Sequence, residues 1–202
     1  RLLGLDARQT RNAMGIALAQ AGGTMQAHIE GSPVLAMQVG FNARNAVMAV
    51  DLAAHDVPGP QHSFEGPFGY LTLFEGDFDT QQRCESFGSR FLIDEVAHKP
   101  FPSGRATHGI VDACLAMKAE SAFDVADVRA VAAKVPPLTH RLVGRPSNDA
   151  MGVNYARLSG PFVAASALHF DSVGIDHFAE DALRNQSVLE LATRIEVVAD
   201  DN

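Results

Sequence analysis

The spacing of apolar residues changes character once along this chain, near Phe91, and that change constrains the fold more than any single motif. Upstream, the runs are Ala-rich and follow a helical period. Asp6 with Gln9 three residues on predicts a capping box, and Ala13, Ile16, Ala17 and Gln20 continue at helical spacing until Gly22 and Gly23 stop the run. The stretch GFNARNAVMAVDLAAH predicts a second long helix with Ala43, Ala46, Val47, Val50, Ala53 and Ala54 on one small-residue face, ended by Pro58-Gly59-Pro60. EGPFGYLTLFEGDFD reads as a turn followed by a short apolar piece, and its glycines are not at phosphate-binding spacing.

Downstream the texture is mixed. FLIDEV (91–96), VRAVAAKV (128–135) and IEVV (195–198) read as strands, with Pro136-Pro137 closing the second. Helices are expected over 107–119, 161–168 and 176–185, and from Ser187, where Glu190 completes another capping-box pattern. The fold class is therefore α+β: residues 1–92 read as part of an all-helical domain and residues 93–202 as a smaller α+β domain.

Function classes narrow by exclusion. A net charge of −8 over 202 residues argues against a nucleic-acid footprint. No apolar run approaches the roughly 18 residues needed to span a bilayer, so no membrane role is expected. The opening RLLGLDARQT lacks a signal peptide's apolar core, which makes a cytoplasmic location the expectation. The first residue is Arg1, inside what reads as an element, so a piece of a longer protein is expected. Cys84 and Cys114 are too few for a disulfide framework, and Cys114 is expected to be a buried thiol. The eight histidines form no HExxH and neither cysteine has a CxxC partner, so no protein-ligated metal is expected. No GxSxG elbow supports a serine nucleophile.

The chemistry-bearing stretch is KPFPSGRATHGIVDA. Between Lys99 and Arg157 eight basic residues face five acidic ones in an otherwise acidic chain, a bias that suits a small anion. Pro100 and Pro102 hold the chain extended before Ser103, read as an N-cap, and Arg105, His108 and Asp112 then share one helical face. A helix N-terminus with Lys99 and Arg105 beside it would attract carboxylates. His108 is placed to move a proton, with Asp112 one turn on to orient its ring. An ordinary solvated rim on a capped helix explains the same residues. In NYARLSGPFVAASAL, Arg157 could clamp a second carboxylate, with Ser159 beside it; equally, Tyr155, Phe162 and Val163 could be core and Arg157 could merely cap its edge.

Four stretches together resemble the MmgE/PrpD family: RLLGLDARQTRNAMGIALAQAGGTMQ, GFNARNAVMAVDLAAHDVPGP, FEGPFGYL, and KPFPSGRATHGIVDA with YARLSGPFVAASAL. The KPxPS…THxxxDA signature is the most specific of them. The resemblance implies a large helical domain with a smaller α+β domain, commonly as a homodimer with the active site in a cleft. It implies cofactor-independent chemistry on a small anionic di- or tricarboxylate by dehydratases, as in 2-methylcitrate dehydratase, or by decarboxylases and epimerases. Lys99 and His108 are carried over as catalytic, and Arg105, Ser103, Arg157 and Ser159 as substrate-binding. The family is longer at both ends. Two departures stand out: where relatives commonly read VKRxHxG this chain reads VLAMQVG, putting Leu35, Ala36 and Gln38 at the polar positions, and Phe162 replaces a frequent tyrosine. The expected activity is a lyase shifting a proton α to a carboxylate, with an isomerase, a catalytically impaired carboxylate binder, or a fragment inactive by itself as the alternatives.

Overall fold

The computed structural model describes residues 3–76, 84–121 and 123–200. Two compact units are present: the first comprises Arg1–Thr24 and Val34–Ala97, the second Met25–Pro33 and His98–Asn202. The division lies a few residues after the expected change near Phe91, and the short segment 25–33, read from sequence as part of the helical domain, joins the second unit.

In the first unit, helix α1 (Ala7–Leu18) starts as its sequence dictates. The Asp6 carboxylate accepts from the Gln9 N–H at 2.7 Å while the Gln9 amide caps the Asp6 N–H. Gly15 lets the 58–60 loop lie directly on the helix, since a Cβ there would stand 2.4 Å from the Pro60 carbonyl oxygen. Asn12, buried beside it, accepts from Gln61 Nε2 at 2.8 Å. The long helix, Val34–Ala54, packs on α1, and of the predicted small-residue stripe Ala53 is buried and Val50 half-buried while the other members are exposed. Ala49 and Ala53 are buried, whereas Val47 is 70% exposed and Ala43, Ala46 and Ala54 face outward. The face is set by polar residues. Asn45 donates to the Gln20 carbonyl (3.2 Å), Asn42 to that of Gly22 (3.3 Å) and Gln38 to that of Thr24 (3.3 Å), satisfying the carbonyls that follow α1. After the turns at 61–69 comes one π-type turn, Leu71–Glu75; residues 77–79 of the expected apolar piece lie outside the described residues. FLIDEV is not a strand: Leu92–Glu95 is a 3-10 turn closed by an Arg90–Glu95 ion pair, with Leu92, Ile93 and Val96 exposed. Its β-branched pattern has no partner strand among the described residues.

The second unit is the α+β part. Helix α2 (Gln26–Glu30), numbered before the long helix α3 (Val34–Ala54), is held by His28 Nε2 at 2.9 Å from the Leu142 carbonyl and by left-handed Gly31 against Tyr155. The 3-10 turn Arg105–Thr107 runs straight into α4 (His108–Glu120). Strand β1 (Val131–Val135) is shorter than predicted because Val125–Asp127 forms a 3-10 turn just before it. Pro136 and Pro137 do end the strand, and Pro137 then opens α5 (Pro137–Val143), which the sequence reading lacks. Next come α6 (Val153–Ala156) and α7 (Gly160–Phe170). The helix expected over 176–185 is instead two 3-10 turns, Ile175–Phe178 and Ala182–Arg184. In α8 (Gln186–Ala192) Asn185 is the cap, accepting from the Val188 N–H at 3.2 Å, and not Ser187. Strand β2 (Ile195–Ala199) pairs parallel with β1, Val131 opposite Ile195 through Val135 opposite Ala199.

Helix α7 is the centre of this unit. Every residue from Gly160 to Leu168 is buried, as a helix apolar nearly all round requires, and it packs on α4, α8 and β2. Gly160 allows the close approach: a Cβ there would lie 2.7 Å from Val197 Cγ2 and 3.0 Å from the Val143 carbonyl oxygen. Val111 and Cys114 of α4 complete the core from below the candidate site. Among the described residues no helix is long and apolar enough to cross a membrane.

Candidate functional site

The stretch from Lys99 to His108 is fixed by its own backbone and hydroxyls. The Gly104 N–H donates to the Arg157 carbonyl at 2.8 Å, tying the turn to the 157–159 segment. The Thr107 N–H and Thr107 Oγ1 both reach the Gly104 carbonyl, each at 2.8 Å. Ser103 Oγ and Thr107 Oγ1 are 2.7 Å apart. Ser103 therefore does not cap α4; the helix cap position is Thr107, with no side-chain cap bond. Because the 3-10 turn merges into α4, the open end of the helix lies at Gly104–Ala106, upstream of the histidine.

His108 is 2% exposed, and neither ring nitrogen makes a well-formed hydrogen bond. Its ring meets Phe101 edge to face, with centroids 5.4 Å apart and an interplanar angle of 87°. Burial pushes its pKa below the ordinary histidine value. Arg105 and Lys99 act in the same direction, and the Ser103 backbone and Asp112 oppose them. The imidazole is thus held neutral, a base without a proton partner. Asp112 is exposed and does not bond the ring, so the expected orienting role is absent. Lys99 is exposed with Nζ 3.4 Å from the Ser103 carbonyl oxygen, and Arg105 is exposed. Two cations and one buried imidazole are therefore gathered on one ten-residue stretch.

The other predicted binding residues are placed differently. Ser103 is 4% exposed with its hydroxyl engaged by Thr107. Ser159 is fully buried, donates to the Arg145 carbonyl at 3.1 Å and accepts from the Phe162 N–H at 3.4 Å, so it serves as the cap of α7. A ligand has no route to that hydroxyl as it stands. Arg157 is half-buried with its guanidinium over the Phe178 ring, 5.5 Å from the centroid, and its Nε is without a partner. It joins the stretch through its carbonyl.

Three residues were missed. Phe101 covers the imidazole, Thr107 anchors the turn, and Arg145 lies over Tyr155 at 5.1 Å with a buried, unpaired Nη1 and a pKa lowered by burial. Thr107 alone left a signal, a hydroxyl residue placed directly before the site histidine. A cavity of about 920 Å³ in the first unit, lined by Arg11, Met14, His62 and Glu65 among others, holds none of the site residues; burial and chemistry mark the 99–108 stretch. Among the described residues no three His, Cys, Asp or Glu side chains gather to hold a metal ion.

Comparison with known proteins agrees with the two-part organisation. Residues 1–83 match the MmgE/PrpD N-terminal domain and residues 101–202 the MmgE/PrpD C-terminal domain. The chain is 26% identical to the cis-aconitate decarboxylase-like protein oryM of Aspergillus oryzae, over 95% of this chain and 42% of that protein. It is also 26% identical to human cis-aconitate decarboxylase, over 98% of this chain and 41% of that protein. The mouse enzyme is 25% identical over 98% of this chain. The chain spans about two fifths of the length of these relatives.

Proposed function

This chain belongs to the MmgE/PrpD family, and from that premise we propose that it supplies part of a lyase acting on a small di- or tricarboxylate by proton transfer α to a carboxylate. The supporting observation is the buried, unpartnered imidazole of His108 beside two cations. Both ring nitrogens of His108 are closed off beneath Phe101, so the reaction requires the Phe101 ring to swing aside; neutral His108 then takes the α proton from carbon, and the electron pair left behind delocalises onto the adjacent carboxylate. Lys99 and Arg105 stabilise the charge that develops there. The electrons then return to expel a leaving group, or carbon is reprotonated in an epimerase. Cis-aconitate, after which the relatives are named, and citrate are the first compounds to test. In the intact protein, His108→Ala should lower turnover by about a hundredfold or more, the usual loss when acid–base catalysis is removed; activity within about threefold of wild type refutes the role.

A second reading, a carboxylate binder without turnover, is favoured by the residues at 35, 36 and 38. Leu35 and Ala36 carry no charge, and Gln38 is committed to the Thr24 carbonyl. Thermal stabilisation by citrate with no exchange of its carbon-bound protons into deuterated solvent would select this reading over the lyase.

A further inference from the structure

We propose that Thr107 is a positioning residue for the candidate site, its hydroxyl locking the turn that sets Lys99 and His108 in place; this rests on the reading of those two groups given above. Thr107 is 0% exposed and lies between Arg105 and His108. Its hydroxyl has one proton, which goes to the Gly104 carbonyl at 2.8 Å. The 2.7 Å contact with Ser103 must then be a bond that Ser103 donates and Thr107 accepts. A relay results, running from Ser103 through Thr107 to the Gly104 carbonyl. Each of its members also holds something else. The carbonyl of Ser103 accepts from Lys99 Nζ, the N–H of Gly104 donates to the Arg157 carbonyl, and Thr107 is covalently joined to the imidazole residue.

Burying two hydroxyls is costly unless each is paired, and a helix entry does not require them here, because α4 has no side-chain cap bond. What the pair does is fix the distance between a cation and a base along a stretch otherwise held by two prolines. Ser103 is thereby reassigned from ligand contact to partner of Thr107. The charged groups acting on His108 are Lys99, Arg105 and Asp112, and loosening the turn admits water and frees the Lys99 ammonium.

The test compares the full chain with Thr107→Val, which keeps the shape and removes the hydroxyl, and Thr107→Ser, which restores the hydroxyl. The first readout is the titration midpoint of His108, followed by imidazole NMR shifts. The valine variant should titrate at higher pH than wild type, because relief of desolvation, the largest influence on the ring, outweighs loss of the raising Ser103 backbone bond, and the serine variant should titrate with wild type. A valine variant whose His108 midpoint coincides with wild type, even at lowered thermal stability, makes Thr107 purely structural and overturns the proposal. Should the valine variant fail to fold, Ser103→Ala breaks the same bond from the other side, and an unchanged midpoint there is equally fatal. Citrate titration adds an independent arm: the valine variant should bind about tenfold more weakly, the equivalent of one hydrogen bond to a charged group, and undiminished binding counts against the proposal. Failure of wild type to bind citrate or cis-aconitate would remove the proposed function, while the NMR midpoint still decides the positioning role.

Discussion

Replacing His108 with leucine should make the protein more stable, the opposite of what truncating a buried residue ordinarily does. Leucine fills a similar volume and brings no polar atoms. The imidazole nitrogens are buried without a well-formed hydrogen bond, the Ser103 backbone giving one of them only a marginal partner, and an unsatisfied buried donor or acceptor costs about 1–3 kcal/mol. Against this stands the edge-to-face contact with Phe101, of a kind contributing about 0.5–1.5 kcal/mol. The net expectation is a gain of about 2 kcal/mol at pH 7.5, seen as roughly 4–8 °C in Tm for a chain of this size. The gain should grow on acidification. Burial holds the folded imidazole's pKa below its ordinary value, so below about pH 6.5 the unfolded chain binds a proton that the folded chain refuses. Wild-type stability then falls with falling pH, and the leucine variant lacks that contribution. Urea unfolding followed by circular dichroism at pH 7.5 and 5.5 measures both quantities. A variant less stable than wild type by the same amount at both pH values would mean that the imidazole is satisfied in solution, and the premise of a strained functional base would fall.

Two further outcomes follow from the core. The Cys114 thiol, buried in α4 and pushed up to about 11 by desolvation, should resist a disulfide reagent at pH 8 in the native protein while exposed Cys84 reacts; titration of one thiol natively and two in denaturant is the expected result, and two fast native thiols would refute it. Gly160→Ala should destabilise by about 1–3 kcal/mol, the usual cost of overpacking, because its Cβ meets Val197 and the Val143 carbonyl; an unchanged Tm would show that β2 yields to α7 freely.

What was legible in the sequence is what is decided locally. The Asp6–Gln9 box depends on four consecutive residues, and it formed as read. The buried run of α7 is apolar but for Ser166, whose hydroxyl is satisfied within the helix by the Phe162 carbonyl, so its burial needed no knowledge of neighbours. The 91–96 strand failed because a strand is defined by a partner, and Leu92 and Ile93 have none among the described residues. The inward face of α3 keeps only Ala53 and part of Val50 from the small-residue stripe, because Gln38, Asn42 and Asn45 satisfy carbonyls far upstream and so fix the helix's rotation. At the site, the closeness of Lys99, Arg105 and His108 along the chain is plain from the sequence, but the structure leaves the two cations exposed and buries the imidazole, so the shared polar face expected for Arg105, His108 and Asp112 does not form. The sealing of His108 under Phe101 and the engagement of Ser103 and Ser159 could not be read there, since both depend on which hydroxyl reaches which acceptor after packing.

The placement of α2 has a consequence for how the polypeptide is made. His28 rests on a carbonyl 114 residues further along the chain, so this segment leaves the ribosome well before its seat has been synthesised. The second unit cannot mature as a simple C-terminal module, and a piece beginning at His98 would bare the surfaces of Leu142 and Tyr155 that α2 occupies. Long-range closure of this kind is slow relative to local helix formation, which marks the docking of nine early residues as a late event in the life of the nascent chain.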